Sequence, residues 1–120
     1  MRSPPPARAD RRAGANLSHV AEIVFGDFEW DAEKAAANAA ASVAKHGVTF
    51  EEAVTVFLDL DYLLIPDSNA DNRFVAIGLS RRARVLFVVH CERGEKVRVI
   101  SARHATRRER ETYDRKRQPD

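Results

Sequence analysis

The residues best suited to chemistry lie near the C-terminus, in and just before the run ISARHATRRERETYDR, residues 100–115. Arg98 lies on a β-branched segment (Val97, Val99, Ile100), and Arg103 lies at its end, just before a helix start. A guanidinium is a planar, permanently charged fork matched to phosphate oxygens. Two of them on a rigid edge point to a polyanionic ligand. Arg73 at a strand start and Arg93 in a turn are further candidate contacts to a nucleic acid, as is the aromatic ring of Tyr113. Strict alternation puts positions 98 and 103 on opposite faces of an uninterrupted strand. Their cooperation therefore requires a turn or bulge near Ser101-Ala102.

A second set lies at the end of an alanine-rich segment. At about 100° per residue, Asn38 falls roughly 40° and Lys45 roughly 20° from Lys34, on one stripe of a helix. His46 follows, beside Gly47, where a helix meets a turn. Metal-free RNA cleavage needs a 2′-hydroxyl deprotonated, a leaving 5′-oxygen protonated and a crowded phosphorane stabilised. Arginine and lysine supply the last of these by preorganised charge. His46 is the best-placed group for proton transfer, and Lys45 serves if like charges depress its pKa. The four histidines (His19, His46, His90, His104) show no ligand spacing, and the carboxylates fall at caps and loops. No metal site and no cofactor are expected. His90 lies in an apolar strand and reads as a core histidine.

The charge is uneven. The chain is formally +2, but residues 1–70 carry 6 basic and 11 acidic side chains, and residues 71–120 carry 14 and 7. That asymmetry predicts a basic surface for nucleic acid and an acidic one for another partner. A chain of 120 residues forms one core. Its apolar runs are too short to span a bilayer, so no membrane is expected. The single cysteine, Cys91, cannot form an internal disulfide, and we expect it buried in a strand in a reducing compartment.

The first 22 residues are rich in Pro, Arg and Ala and lack an apolar period, so they are expected to be a disordered extension. They also lack the apolar core of a secretory signal. A single domain should occupy residues 23–117, with 118–120 a tail. Ile23–Phe25 and Phe28–Trp30 read as one strand broken at Gly26-Asp27. Asp31 caps a helix over 32–45, and Gly47 ends it. Thr49 and Glu52 form a capping box, followed by a helical face of Phe50, Ala53, Val54, Phe57 and Leu58. Strands are predicted at Tyr62–Ile65, Phe74–Leu79, Arg84–Cys91 and Lys96–Ala102. Val85–Val89, continuously apolar, should be central and covered on both faces. Thr106 and Glu109 open a charged, weakly anchored last helix. The order predicts an α+β fold: an antiparallel meander with helices on one face, an N-terminal αα-hairpin among them, and a C-terminal helix.

FEWDAEKAAAN, KHGVTFEEA, RFVAIGLS, RVLFVVHCERG and VRVISARHATRRERETYD, in that order over residues 25–115, resemble the BrnT-type toxins of bacterial toxin–antitoxin pairs. The resemblance implies a RelE-like fold and a cytoplasmic endoribonuclease that halts translation. It implies a ribbon-helix-helix antitoxin as partner, RNA as substrate, and operator DNA bound only through the antitoxin. It departs from the family pattern K-x3-N-x2-K-H-G in that Asn38 and Lys45 are seven apart. Two alternatives stay open: a non-catalytic nucleic-acid-binding module, which needs aromatics beside its arginines, and a degenerate toxin kept for antitoxin binding.

Overall fold

The computed structural model describes residues 22–40 and 47–118, and for 22–25 the backbone alone. β1 (Glu22–Phe25) and β2 (Phe28–Asp31) precede α1 (Ala32–Ala40). α2 (Phe50–Val54) runs directly into a 3₁₀ turn, Thr55–Leu58. β3 (Leu63–Pro66), β4 (Arg73–Leu79), β5 (Val85–Arg93), β6 (Lys96–His104) and α3 (Arg107–Arg117) complete the chain. Of the extension expected to be disordered, residues 1–21 lie outside the described residues while Glu22 opens β1, and the expected helix beyond Ala40 also lies outside them.

The strands form one six-stranded sheet in the order β1-β2-β6-β5-β4-β3. From β3 to β6 it is the expected antiparallel meander. Two expectations are corrected at the N-terminal end. The broken strand is a hairpin, because Gly26 takes φ +64° and reverses the chain so that Phe25 faces Phe28. The sheet is also mixed: β2 runs parallel to β6, with Glu29 beside Arg98.

Helices cover both faces of the sheet, not one. Trp30, Ala76, Leu86, Val88, Val99 and Ala102 meet Phe50, Ala53 and Val54 of α2 in the main core. On the opposite face Val75 and Ile77 meet Ala105 and Tyr113. β5 is therefore fully buried on one face, through Leu86, Val88 and His90, and half-covered on the other. The α2 face also shifts. Phe50, Ala53 and Val54 are buried as expected, but Leu58 is 79% exposed while Val56 is fully buried. Phe57 is half-buried and packs on the core as expected, but the 3₁₀ turn has three residues per turn, so the 3.6-residue period no longer buries Leu58. Gly78 makes room for that turn: a Cβ there would lie 2.8 Å from both Val56 Cγ1 and Tyr62 Cβ.

The last helix is firmly held. Thr106 and Glu109 form the full capping box. Tyr113 is 1% exposed, and its hydroxyl donates to Asp59 Oδ2. Lys116 donates to the carbonyl of Tyr62 at 3.0 Å. The expected weak anchoring overlooked Asp59, whose carboxylate also accepts from the backbone N–H of Leu79 at 2.8 Å and so joins helix, 3₁₀ turn and sheet.

Candidate nucleic-acid interface

A one-residue irregularity in β6 decides which arginines share a face. Val89 of β5 opposes Ser101, but the next residue, His90, opposes Val99, so Ile100 is extra. This bulge reverses the alternation once. Cys91 opposes Arg98 and Phe87 opposes Arg103; four residues separate them on β5, so both arginines lie on one face. The bulge comes one residue before the segment where the sequence demanded it.

Arg73 opposes Cys91 from the other side, so Arg73, Cys91, Arg98 and Glu29 form a row across β4, β5, β6 and β2. Arg98 donates to Glu29 Oε2 at 3.2 Å, and Arg93 Nε approaches the same oxygen at 3.8 Å. Cys91 is half-buried in this row, not buried as expected. Arg73, Arg93 and Arg98 thus gather at one end of the face. Arg103 stands apart, roughly 14 Å along the strand from Arg98 at 3.4 Å per residue over the four β5 positions. Such a separation suits different phosphates of one strand, not one phosphate held by both.

Arg103 is held by a carboxylate, a carbonyl and an aromatic ring. Its Nη1 and Nη2 donate to the two Glu109 oxygens at 2.9 and 3.0 Å, and Nη1 also donates to the His104 carbonyl at 3.0 Å. Its guanidinium carbon lies 3.8 Å from the centre of the Phe87 ring. Burial raises the Glu109 pKa, but hydrogen bonds from Arg103 and the Thr106 backbone outweigh it and hold the carboxyl below its ordinary value. The Nε–H and one Nη2–H of Arg103 remain directed to no described residue, so the pair aims a guanidinium edge without consuming it.

A second Arg–carboxylate pair lies on the helix face. Glu52, 5% exposed, accepts from Arg84 through Nε at 3.0 Å and through Nη2, and from Ser80 Oγ at 2.6 Å. Burial raises the Glu52 pKa, and these bonds more than offset it, leaving the carboxyl below its ordinary value. Arg84 Nη1 meets His104 Nε2 at 3.3 Å.

Tyr113 was an expected RNA contact, but its ring is buried and its hydroxyl is bound to Asp59, so it anchors α3 instead. Lys45 and His46 lie outside the described residues. Asn38 reaches toward both segments of interest. Its amide nitrogen donates to the carbonyls of Val48 at 2.8 Å and Ala102 at 2.9 Å, and its oxygen accepts from Ala102 N at 3.2 Å. It holds the residue preceding Arg103 on the edge of β6 that β2 leaves open. His90 is the core histidine expected, 4% exposed against Phe57 and Phe74, with its pKa lowered by burial.

Sequence reasoning missed Glu109 as the holder of Arg103. The capping box named Glu109, but its reach across to β6 has no local signal. Among the described residues, no three His, Cys, Asp or Glu side chains cluster in a way that could hold a metal ion. No helix among them is long and apolar enough to cross a membrane.

Comparison with known families matches residues 30–109 to the family described as "Ribonuclease toxin, BrnT, of type II toxin-antitoxin system". No curated protein matches the chain. The match takes in Arg73, Cys91 and Arg98, the bulge, Arg103 and Glu109, and covers well over half the sequence; the chain belongs to the BrnT family of ribonuclease toxins of type II toxin–antitoxin systems.

Proposed function

We propose that this chain is a cytoplasmic, metal-independent endoribonuclease that halts translation until a ribbon-helix-helix antitoxin neutralises it. The observation that carries this reading is the bulge at Ile100, which gives Arg73, Arg98 and Arg103 one common face. Operator DNA is reached only through the antitoxin, and no membrane or cofactor takes part. The fold fits a RelE-like arrangement in which α1 and α2 form a hairpin.

In this mechanism RNA lies along the arginine face. Arg73, Arg93 and Arg98 neutralise phosphates at one end. Arg103, held by Glu109 over Phe87, turns its remaining N–H groups to the scissile phosphate. Negative charge grows on the phosphoryl oxygens as the 2′-oxygen attacks, and a guanidinium fixed beforehand stabilises that charge without reorganising. Lys45 and His46 exchange the protons, one taken from the 2′-hydroxyl and one given to the 5′-oxygen. Asn38 ties the chain just after them, at Val48, to the chain just before Arg103.

The non-catalytic alternative needs exposed aromatic platforms. Phe87 lies under Arg103 and Tyr113 is buried, which leaves base stacking poorly served. Cleavage of RNA by the purified chain in excess chelator tests the proposal. Undiminished cleavage supports it. Loss of all cleavage on chelation refutes the metal-free mechanism, and RNA binding without cleavage supports the alternative.

A further inference from the structure

The sheet face that carries the arginines is built in rows. Arg73, Cys91, Arg98 and Glu29 form one, and Ile77, Phe87 and Arg103 form another. Between them runs a row without charge: Ile65, Val75, Val89 and Ser101. α3 closes over the Arg103 row, where Tyr113 packs with Ile77 and Glu109 grips Arg103. Val89 and Ser101 stay half-buried and Ile65 is 40% exposed. The middle row is therefore open floor between two sets of cations.

Ser101 is the polar member of that floor. It opposes Val89, which lies two β5 positions from Cys91 and two from Phe87. At 3.4 Å per residue, Ser101 stands about 7 Å along the sheet from Arg98 and about 7 Å from Arg103. The bulge puts it there. Three residues apart, Arg98 and Ser101 would take opposite faces of a regular strand, and the extra Ile100 returns them to one. The Ser101 hydroxyl meets no hydrogen-bond partner among the described residues. Packing does not call for a serine either, because a β-branched residue suits a strand better, as at Val99 and Ile100.

The spacing indicates what this hydroxyl meets. A stacked nucleic-acid strand advances about 3.4 Å per nucleotide and winds its phosphates away from any flat face. Contacts about 7 Å apart on one sheet face suit instead a strand drawn straight, with its bases unstacked. Successive phosphates of such a strand fall at Arg98, Ser101 and Arg103 in turn. Serine hydroxyls are ordinary donors to phosphate oxygens, and they add a directed bond without adding charge.

We propose that Ser101 is a substrate contact: it donates its hydroxyl to the phosphate between those held by Arg98 and Arg103 when single-stranded RNA runs extended along β6. The inference rests on the reading of the arginine face as the RNA site. It does not rest on cleavage or on the proton-transfer residues.

The test compares Ser101→Thr, Ser101→Val and Ser101→Ala in the full chain. Threonine and valine are both β-branched and suit a strand, but only threonine keeps the hydroxyl. The probe is a 2′-O-methyl oligoribonucleotide, which retains every phosphate and lacks the attacking hydroxyl, so it binds without being cut. By fluorescence anisotropy the Thr variant should bind within about twofold of wild type. The Val and Ala variants should bind about tenfold more weakly, the scale of one hydrogen bond to a charged acceptor. Their affinity should fall with salt as steeply as that of wild type, because no charge is lost, whereas Arg98→Ala should reduce that slope by about 1. A neutral methylphosphonate moved along the probe should find one position at which wild type and the Val variant bind alike. Single-stranded DNA of the same sequence should show the same tenfold loss. Val and Ala variants that bind as wild type, while Arg98→Ala and Arg103→Ala still weaken binding, overturn this contact and leave the arginine face standing. A loss seen with unmodified RNA but with neither 2′-O-methyl RNA nor DNA also overturns it, since the hydroxyl then reads a ribose. Binding that neither arginine variant weakens overturns the contact and the arginine-face reading together. If the wild type binds as described yet cuts no RNA, the ribonuclease mechanism fails and the contact stands.

Discussion

Glu52–Arg84 and Glu109–Arg103 are the same chemical object in two settings. Each is a carboxylate gripping a guanidinium through two nitrogens. The Glu52 side chain is 4% exposed and that of Arg84 27%; the Glu109 and Arg103 side chains are 24% and 34% exposed. The inner carboxylate also accepts from Ser80, and Arg84 Nη1 meets His104 Nε2. The outer pair leaves part of its guanidinium directed at solvent over an aromatic ring. Burial thus turns one pair into a structural tie between α2 and the β4–β5 turn. Half-exposure turns the other into a pre-aimed cation.

The contrast is broken most severely from the inner side. Arg84→Ala leaves the buried Glu52 with only the largely exposed Arg82, 3.9 Å away, as a charge partner. Removing one member of a buried pair costs about 3 kcal/mol, so chemical denaturation should show a loss on that scale, with cleavage per folded molecule little changed. Equal loss of activity and stability would place Arg84 at the site instead.

Arg103→Ala should do the reverse. Losing one preorganised donor group costs about 2–4 kcal/mol of transition-state stabilisation, seen as at least a 30-fold to several-hundred-fold fall in single-turnover cleavage, with only a small change in melting temperature. Arg98→Ala should be milder, raising KM more than it lowers kcat, because Arg98 lies a different phosphate away and shares its charge with Glu29. Identical kinetics for the two variants would contradict their separation along β6.

Asn38→Asp sharpens the same comparison from a distance. It replaces an amide donating to two carbonyls with a carboxylate that repels both. At about 1 kcal/mol per hydrogen bond, stability should fall by about 2 kcal/mol. Faster hydrogen exchange should appear at Ala102 and Arg103 and not across β4. Uniform acceleration over the whole sheet would reduce Asn38 to a general stabiliser.

The smallest effect is on pH dependence. Glu52 and Glu109 have folded pKa values below the ordinary 4.5. Each therefore contributes stability that is fully present above about 4.5 and lost as pH falls through the lower folded value. His90 has a folded pKa below the ordinary 6.5. The fold favours its neutral form, so its contribution is present above 6.5 and declines as pH drops below that. Stability should begin to fall below pH 6.5 and fall faster below 4.5. His90→Phe should remove the first phase and Glu109→Gln part of the second; a profile flat from pH 7 to 5 in the wild type contradicts the His90 assignment.

Local chemistry made much of this legible in advance. Both cap signals, Thr49 and Thr106, mark true helix starts. The meander from β3 to β6 follows from turn residues and β-branched runs, because neighbouring strands need only short connections. What was not legible depends on contacts distant in sequence. Nothing near Glu29 announces that β2 will lie parallel to β6, since that pairing joins residues 69 apart. The reach of Tyr113 to Asp59 spans 54 residues, so α3 read as loose when it is fastened. The bulge was required by the idea that Arg98 and Arg103 share a face, but its place at Ile100 is set by pairing with β5. Lys45 and His46 carry the proton-transfer proposal from sequence alone.

Single-turnover cleavage of a short RNA by wild type and Arg103→Ala, both in excess chelator and both corrected for folded fraction, tests the central claim most directly. The account predicts full cleavage by the wild type and a loss of about 100-fold in the variant. Cleavage by Arg103→Ala at the wild-type rate would contradict it.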